Sequence, residues 1–260
     1  MKRRSFCFSL LASPAIGAPP AGVKLIAHRG GVVDERYAEN SKGSVEAAIA
    51  RGYWMLEVDV RESKDGRLVV QHDPDFQRFF GDSRQVADMD WTEIARLRAK
   101  PGNTRPMEFQ ELAALCRNRV RLMVDTKEPE HSEQFFAEME RALRKNDLLA
   151  SAMFIGTDQS RERFHGKAIV GVTREQLQAF LAKGEKTKGL YFLFEHGRTL
   201  DEAGLRLAAK AGVPAVVSIN IFHYEGMDHW KAARADVERL RRLGMTYFQI
   251  DSIYDRWLTS

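Results

Sequence analysis

The chain has 260 residues, 44% of them hydrophobic and 29% charged, which suits one large domain with a substantial core. Its formal net charge of +4 makes no case for nucleic-acid binding, because Lys2, Arg3 and Arg4 alone carry three of those charges.

Residues 1–18 differ in character from the rest. A charged Lys2-Arg3-Arg4 precedes a short apolar stretch from Ser5 to Ile16, and small residues follow before Pro19-Pro20. That is the pattern of a secretory signal peptide, too short for a stable membrane span, so the expectation is an exported, periplasmic or secreted protein. Arg3-Arg4-Ser5-Phe6 also admits a twin-arginine signal. Cys7 would leave with the signal, and Cys116 alone makes no disulfide framework.

Val23 to Ala27 reads as a first buried strand, closed by His28 and followed by Arg29-Gly30-Gly31. After a polar loop from Asp34 to Tyr37, Asn40 stands where an N-cap is expected for a helix over Ser41 to Ala50. That reading makes Asn40 structural and leaves Glu39 to orient Arg29 or a metal. Trp54 to Val60 reads as a second buried strand, and period two places Glu57 and Asp59 on one face of it. Two buried carboxylates side by side repel and are costly to desolvate, and a divalent cation, Mg²⁺ or Ca²⁺, removes the conflict. Lys64-Asp65-Gly66 is a turn signal, and the hairpin it forms carries Leu68 to Gln71 back so that His72 approaches the carboxylates. Two histidines at strand ends suit general acid and base work, and Arg29 suits phosphate oxygens. Together these residues describe metal-assisted hydrolysis of a phosphate ester.

Pro74 to Pro106 lacks long periodicity except near Trp91 to Leu97. Its Phe76, Phe79, Phe80 and Trp91 read as a small core tying the segment down, with an apolar wall for substrate as the alternative. A helix over Glu108 to Arg117 leads to a strand over Arg121 to Lys127, on which Asp125 and Lys127 share a face. Further strands are expected at Ala152 to Gly156, Ala168 to Val172, Gly189 to Phe194, Ala215 to Ile221 and Tyr247 to Asp251, with helices between them. Eight strands alternating with helices over this length predict a (β/α)₈ barrel spanning 23–260, with a small insertion at about 74–106. Such barrels gather functional residues at the carboxyl ends of their strands. Glu195-His196, Asn220, His223 and Asp251 occupy those positions in the second half, and Glu195 and Asn220 join Glu39 as candidates for substrate contact.

The ordered set His28-Arg29-Gly30, Glu39-Asn40, Glu57-x-Asp59, Ser63-Lys64-Asp65-Gly66 and His72-Asp73 resembles the signature of the glycerophosphodiester phosphodiesterase family. The close match covers about fifty residues. The resemblance implies a TIM barrel whose short insertion caps the mouth, and hydrolysis of a small glycerophosphodiester to an alcohol and glycerol 3-phosphate. It implies Glu57, Asp59 and Asp125 as ligands of one divalent cation, with Arg29 and Lys127 on the phosphate and His28 and His72 as acid and base. Asp125 stands where the family has glutamate, and Lys127 alternatively only balances the charge of Asp125 and Glu57. Ser218-Ile219-Asn220-Ile221 and Ile250-Asp251-Ser252-Ile253 depart from the family's pattern at strands seven and eight. Two other readings stay open: a lipid-cleaving phospholipase on the same barrel, sphingomyelinase D-like or phosphatidylinositol phospholipase C-like, and an exported protein that binds glycerophosphodiesters without turnover. No amphipathic membrane helix or stable membrane anchor is visible, and the sequence leaves the oligomeric state open.

Overall fold

The computed structural model describes residues 22–32 and 36–259; the signal-peptide expectation and the first two residues of the Asp34–Tyr37 loop lie outside them. Eight parallel strands close into a barrel: Lys24–Ala27 (β1), Met55–Glu62 (β2), Arg121–Thr126 (β3), Met153–Gly156 (β4), Ile169–Val172 (β5), Tyr191–His196 (β6), Ala215–Ile219 (β7) and Tyr247–Ile250 (β8). Closure is made at both flanks of β1, which pairs with β8 from Lys24 opposite Tyr247 and with β2 from Ile26 opposite Met55.

The strands read as near-continuous apolar runs because both faces are covered. On β2, Leu56, Val58 and Val60 point outward into the main core beneath the helices, while Met55 points inward to meet Ile26, Met123, Met153, Phe192 and Val216. The amino end of the barrel is plugged by Trp54 and Tyr247, edge to face at 5.4 Å, with the Lys24 ammonium 5.0 Å and 4.6 Å from their rings. The outer layer comprises Lys42–Ala50 (α1), Phe109–Cys116 (α2), Glu133–Lys145 (α3), Asp158–Phe164 (α4), Arg174–Ala182 (α5), Glu202–Ala211 (α6) and His229–Arg242 (α7); a 3₁₀ segment, Ser252–Trp257, follows β8.

One local reading is corrected. The cap of α1 is Ser41, in a reciprocal box with Ser44; Asn40 adopts a left-handed φ of 55° instead. A cap needs the extended conformation that Ser41 has, and the left-handed turn aims the Asn40 side chain at the barrel mouth.

The hairpin strand Leu68–Val70 runs antiparallel to β2, with Val70 opposite Val60, and so returns the chain to the carboxyl end of the barrel. The segment that follows folds on a small core of Val69, Phe76, Val86, Met89 and Ile94, against which Phe80 and Trp91 pack. Phe79 stands apart from that core, with the Arg78 guanidinium 4.5 Å from its ring.

Phe154 on β4 is fully buried and stacks on Phe164 of α4 at 3.8 Å, joining barrel to helix layer. Phe154→Ala is expected to lower unfolding stability by about 3–5 kcal/mol, measured by denaturant titration.

Candidate active site

The carboxyl ends of β1, β2 and β3 bring the expected residues to one cavity of about 280 Å³, lined by His28, Arg29, Glu57, Asp59, His72 and Asp125 among others. Inward-facing positions of β2 and β3 deliver the acids in register, Asp59 opposite Asp125. Carboxylate oxygens of Glu57, Asp59 and Asp125 lie within 4.8 Å of one another. Lys127 reaches in beside them, 2.8 Å from Asp59 Oδ1 and 2.5 Å from Asp125 Oδ2. Asn40 Nδ2 donates to Asp59 Oδ2 at 2.7 Å, and Asn40 Oδ1 is buried without a partner in the protein.

This is a cluster with too little positive charge. Glu57 is 1% exposed, and burial, with Asp59 beside it, pushes its carboxyl up to about 8. Burial likewise raises Asp125, against the pull of Lys127. Asp59 is buried too, yet Lys127, His72 and the hydrogen bonds from Lys127 and Asn40 hold it below the ordinary carboxylate range. Three hard oxygen donors and one lysine fit a divalent cation of the Mg²⁺ or Ca²⁺ kind, with the orphaned Asn40 carbonyl beside them.

The turn after β1 places the histidine and arginine. Arg29 takes a left-handed conformation at φ 52°, ψ 46°, uncommon outside glycine, which points its backbone N–H at Glu57 Oε2, 2.9 Å away. His28 Nδ1 lies 2.6 Å from Asp251 Oδ1 at the end of β8. Desolvation works against its charged form, but the bond to Asp251 and the field of Glu57 raise its pKa overall. Asp251 is held below the usual range despite its burial, mainly by the bond to His28, so it accepts the Nδ1 proton and leaves Nε2 for the cavity.

His72 is also backed by a carboxylate, with Nδ1 at 2.8 Å from Asp73 Oδ1. Its Nε2 lies 2.7 Å from Arg29 Nη2. A guanidinium can only donate, so His72 accepts there and is neutral; burial lowers its pKa, Arg29 adds to that, and Asp59 and Asp73 oppose it. Arg29 continues to Glu39 at 3.3 Å, and Arg78 of the insertion donates to both Glu39 and Asp73, the latter at 2.7 Å. A closed ring of His72, Asp73, Arg78, Glu39 and Arg29 thus frames one side of the mouth.

The structure does not bring Glu195 to the cavity. Its carboxylate faces the helix layer and accepts two bonds from Arg174 at 2.8 and 2.9 Å, whereas the next residue, His196, faces the mouth. Asn220 is at the cavity, 1% exposed, and Glu39 sits on a side pocket of about 300 Å³ that also includes His28, Phe222 and Ile253. Sequence reasoning missed the Asp251 bond to His28 and the Arg78 bridge. Asp251 did stand at a strand end, but nothing in Arg78's own stretch marks it.

Gly156 keeps the floor open: its φ is 104°, and a Cβ there would stand 2.6 Å from Asp125 Oδ1. A separate groove of about 390 Å³ between α4 and α5 shares none of the residues that line the barrel-mouth cavity.

A model of the glycerophosphoryl diester phosphodiesterase family matches residues 28–248. A curated Mycobacterium tuberculosis protein, "Probable glycerophosphodiester phosphodiesterase 2", is 30% identical over 138 residues, 53% of this chain and 49% of its own length. A mouse protein named lysophospholipase D GDPD3 is 35% identical over 77 residues, 30% of this chain and 23% of its own length. The chain therefore spans half or less of these two relatives. A glycerophosphodiester phosphodiesterase from Agrobacterium tumefaciens superposes with TM-score 0.70 at 19% identity, covering 92% of this chain and all of that one. An Oleispira antarctica phosphodiesterase, solved with the product sn-glycerol-3-phosphate, superposes with TM-score 0.66 at 17% identity, covering 88% and 93% of the two chains. At those identities the two structures establish the fold.

The raised Glu57 carboxyl sets a pH dependence for the protein in chelator. Folded Glu57 keeps its proton to about pH 8, whereas an unfolded glutamate loses it near 4.5. This group's contribution is intact below pH 4.5 and is lost as the pH climbs to about 8. Glu57→Gln is expected to flatten that slope and stabilise the metal-free fold at pH 8 by on the order of 3–5 kcal/mol, read by denaturant unfolding across pH.

Proposed function

The chain belongs to the glycerophosphoryl diester phosphodiesterase family, and from that premise we propose that it hydrolyses glycerophosphodiesters to an alcohol and glycerol 3-phosphate. The observation that carries this reading is the meeting of two carboxylate-backed histidines, Arg29 and Lys127 around three clustered acids in one cavity. In it, Glu57, Asp59 and Asp125 hold one divalent cation, Mg²⁺ or Ca²⁺. Once bound, that cation neutralises phosphate charge and lowers the pKa of the attacking hydroxyl.

Arg29 and Lys127 hold the remaining charge of the diester as it grows in the transition state. A phosphate oxygen competes for Arg29 Nη2, and as the guanidinium turns to it, His72 Nε2 is released. His72, neutral and backed by Asp73, then takes the proton of the attacking hydroxyl as general base. His28, charged more readily through Asp251, gives its Nε2 proton to the departing alkoxide. Asp251 and Asp73 fix the tautomers that make these directions of transfer possible.

Cleavage of lipid substrates by the same chemistry is the second reading. Ile221, Phe222 and Met227 are 48%, 53% and 48% exposed on the segment after β7, and Ile221 and Phe222 wall the side pocket beside His28. A hydrophobic rim of that kind is what a lipid-cleaving enzyme would present. Export is also part of the proposal, supported by the charged and apolar pattern of residues 1–18.

Release of glycerol 3-phosphate from glycerophosphocholine and glycerophosphoethanolamine tests the main reading. Turnover is expected with Mg²⁺ or Ca²⁺, to stop in excess chelator, and to fall by about 10²-fold or more in His28→Ala and Glu57→Ala. Turnover confined to micellar lysolipids would move the assignment to the second reading, and binding without turnover would leave a binding protein. Asp251→Asn offers the His28 ring the wrong tautomer partner. It is expected to cost about 10²-fold on alkyl diesters and far less on a p-nitrophenyl diester, whose leaving group needs no acid.

A further inference from the structure

A general base must stand at a fixed place, yet the strand leading to His72 ends before reaching it. The hairpin strand Leu68–Val70 pairs with β2 as far as Val70 opposite Val60. One further backbone bond joins the Gln71 N–H to the Asp59 carbonyl at 3.0 Å. His72 lies one residue beyond, where the ladder has run out.

Arg61 takes over at that point. Period two carries it to the same face of β2 as Glu57 and Asp59, one step past the acids, but it does not line the cavity. Its guanidinium holds the His72 carbonyl instead, which accepts from Nε at 2.9 Å and from Nη2 at 2.5 Å. The third nitrogen, Nη1, donates to Glu128. All three guanidinium nitrogens are therefore committed, on a side chain 13% exposed. A charged, planar fork closed on a main-chain carbonyl makes a strong and directional tie.

Glu128 follows Lys127, which reaches Asp59 and Asp125. It is braced in turn by His131, whose Nε2 lies 3.3 Å from Glu128 and whose Nδ1 lies 3.5 Å from Glu62. The His131 ring stacks on Phe135 of α3 at 3.7 Å. Arg61 thus joins the loop after β3, with its lysine, to the turn that carries His72.

We propose that Arg61 is a positioning residue for the general base, fixing the His72 main chain so that Nε2 stands where the attacking hydroxyl arrives. Glu128 fixes the guanidinium. The inference rests on the phosphodiesterase reading and on the base role of His72. Once a phosphate oxygen draws Arg29 from Nε2, the ring keeps its bond to Asp73 and whatever its own backbone provides. Asp73 belongs to the same turn and moves with it, whereas Arg61 belongs to β2, the strand that carries Glu57 and Asp59.

The test measures hydrolysis of glycerophosphocholine by the Mg²⁺-loaded protein in wild type, Arg61→Met, Arg61→Lys, Glu128→Gln, His72→Ala and the Arg61→Met/His72→Ala double variant, with thermal melting to check each fold. Arg61→Met is expected to lower kcat by about 10- to 100-fold, as misplacement of a reacting group does, with KM and the Mg²⁺ requirement within about twofold. The same loss is expected on a p-nitrophenyl diester, since the base serves the attacking hydroxyl whichever alcohol leaves. Arg61→Lys keeps one charged donor and is expected to fall between Arg61→Met and wild type. In the His72→Ala background Arg61→Met is expected to add less than about twofold, because a residue acting through His72 has nothing left to act on. A role in the scaffold alone would multiply the two losses. Glu128→Gln keeps the arginine and is expected to lose about 3- to 10-fold in kcat. Undiminished kcat in folded Arg61→Met, losses that multiply in the double variant, or a defect confined to KM or metal activation overturns the proposal. If Arg61→Met does not fold, undiminished kcat in Glu128→Gln overturns it. Full turnover by His72→Ala would remove the base role and the positioning together while leaving the phosphodiesterase intact. No cleavage by wild type would sink the phosphodiesterase reading and this inference with it.

Discussion

Two buried carboxylates and a half-buried third, within reach of one another, are the constraint from which this structure follows. The Lys127 ammonium ion-pairs with this cluster at Asp59 and Asp125, and burial with Asp59 alongside makes Glu57 keep its proton well beyond the usual range. The fold tolerates the arrangement because the cluster sits at the open end of the barrel, where charge can be supplied from outside. The apolar layers below it, from Met55 through Phe192 to the Trp54 and Tyr247 plug, carry the stability that the acids subtract.

Around that cluster the backbone places Arg29, His72 and Arg78. The left-handed turn at Arg29 brings its amide to Glu57 and its guanidinium to His72 and Glu39, and the hairpin after β2 returns His72 to the same end. The insertion contributes Arg78, which ties Asp73 to Glu39. Each histidine thus has its own carboxylate behind it; burial works to lower the basicity of both, and the Asp251 bond with Glu57 overcomes it at His28, whereas at His72 burial, Arg29 and Lys127 outweigh Asp59 and Asp73.

Much of this was legible in the sequence, and for identifiable reasons. Period two alone put Glu57 and Asp59 on one face, and strand ends marked His28 and His72. Asp125 and Lys127 shared a face by the same period, but only the family resemblance attached them to the acids, because nothing local says which strands are neighbours. Glu195 failed by one residue: alternation makes the choice between it and His196 a matter of register, and the apolar run before them fits either phase. Asn40 was placed on the helix as a cap, and only its backbone conformation shows that the side chain turns to Asp59. Asp251 and Arg78 act through partners remote in the chain or outside any strand pattern, which no periodicity encodes.

The bond between His28 and Asp251 spans 223 positions of sequence. It joins the first strand of the barrel to the last, so it forms only when the ring of strands shuts. A chain still emerging from the ribosome, or one lacking β8, holds the acids, Arg29 and both histidines yet has no partner for His28. On the proposed mechanism, competence would therefore report on completed folding, because His28 acquires its carboxylate partner in the same event that seals the barrel.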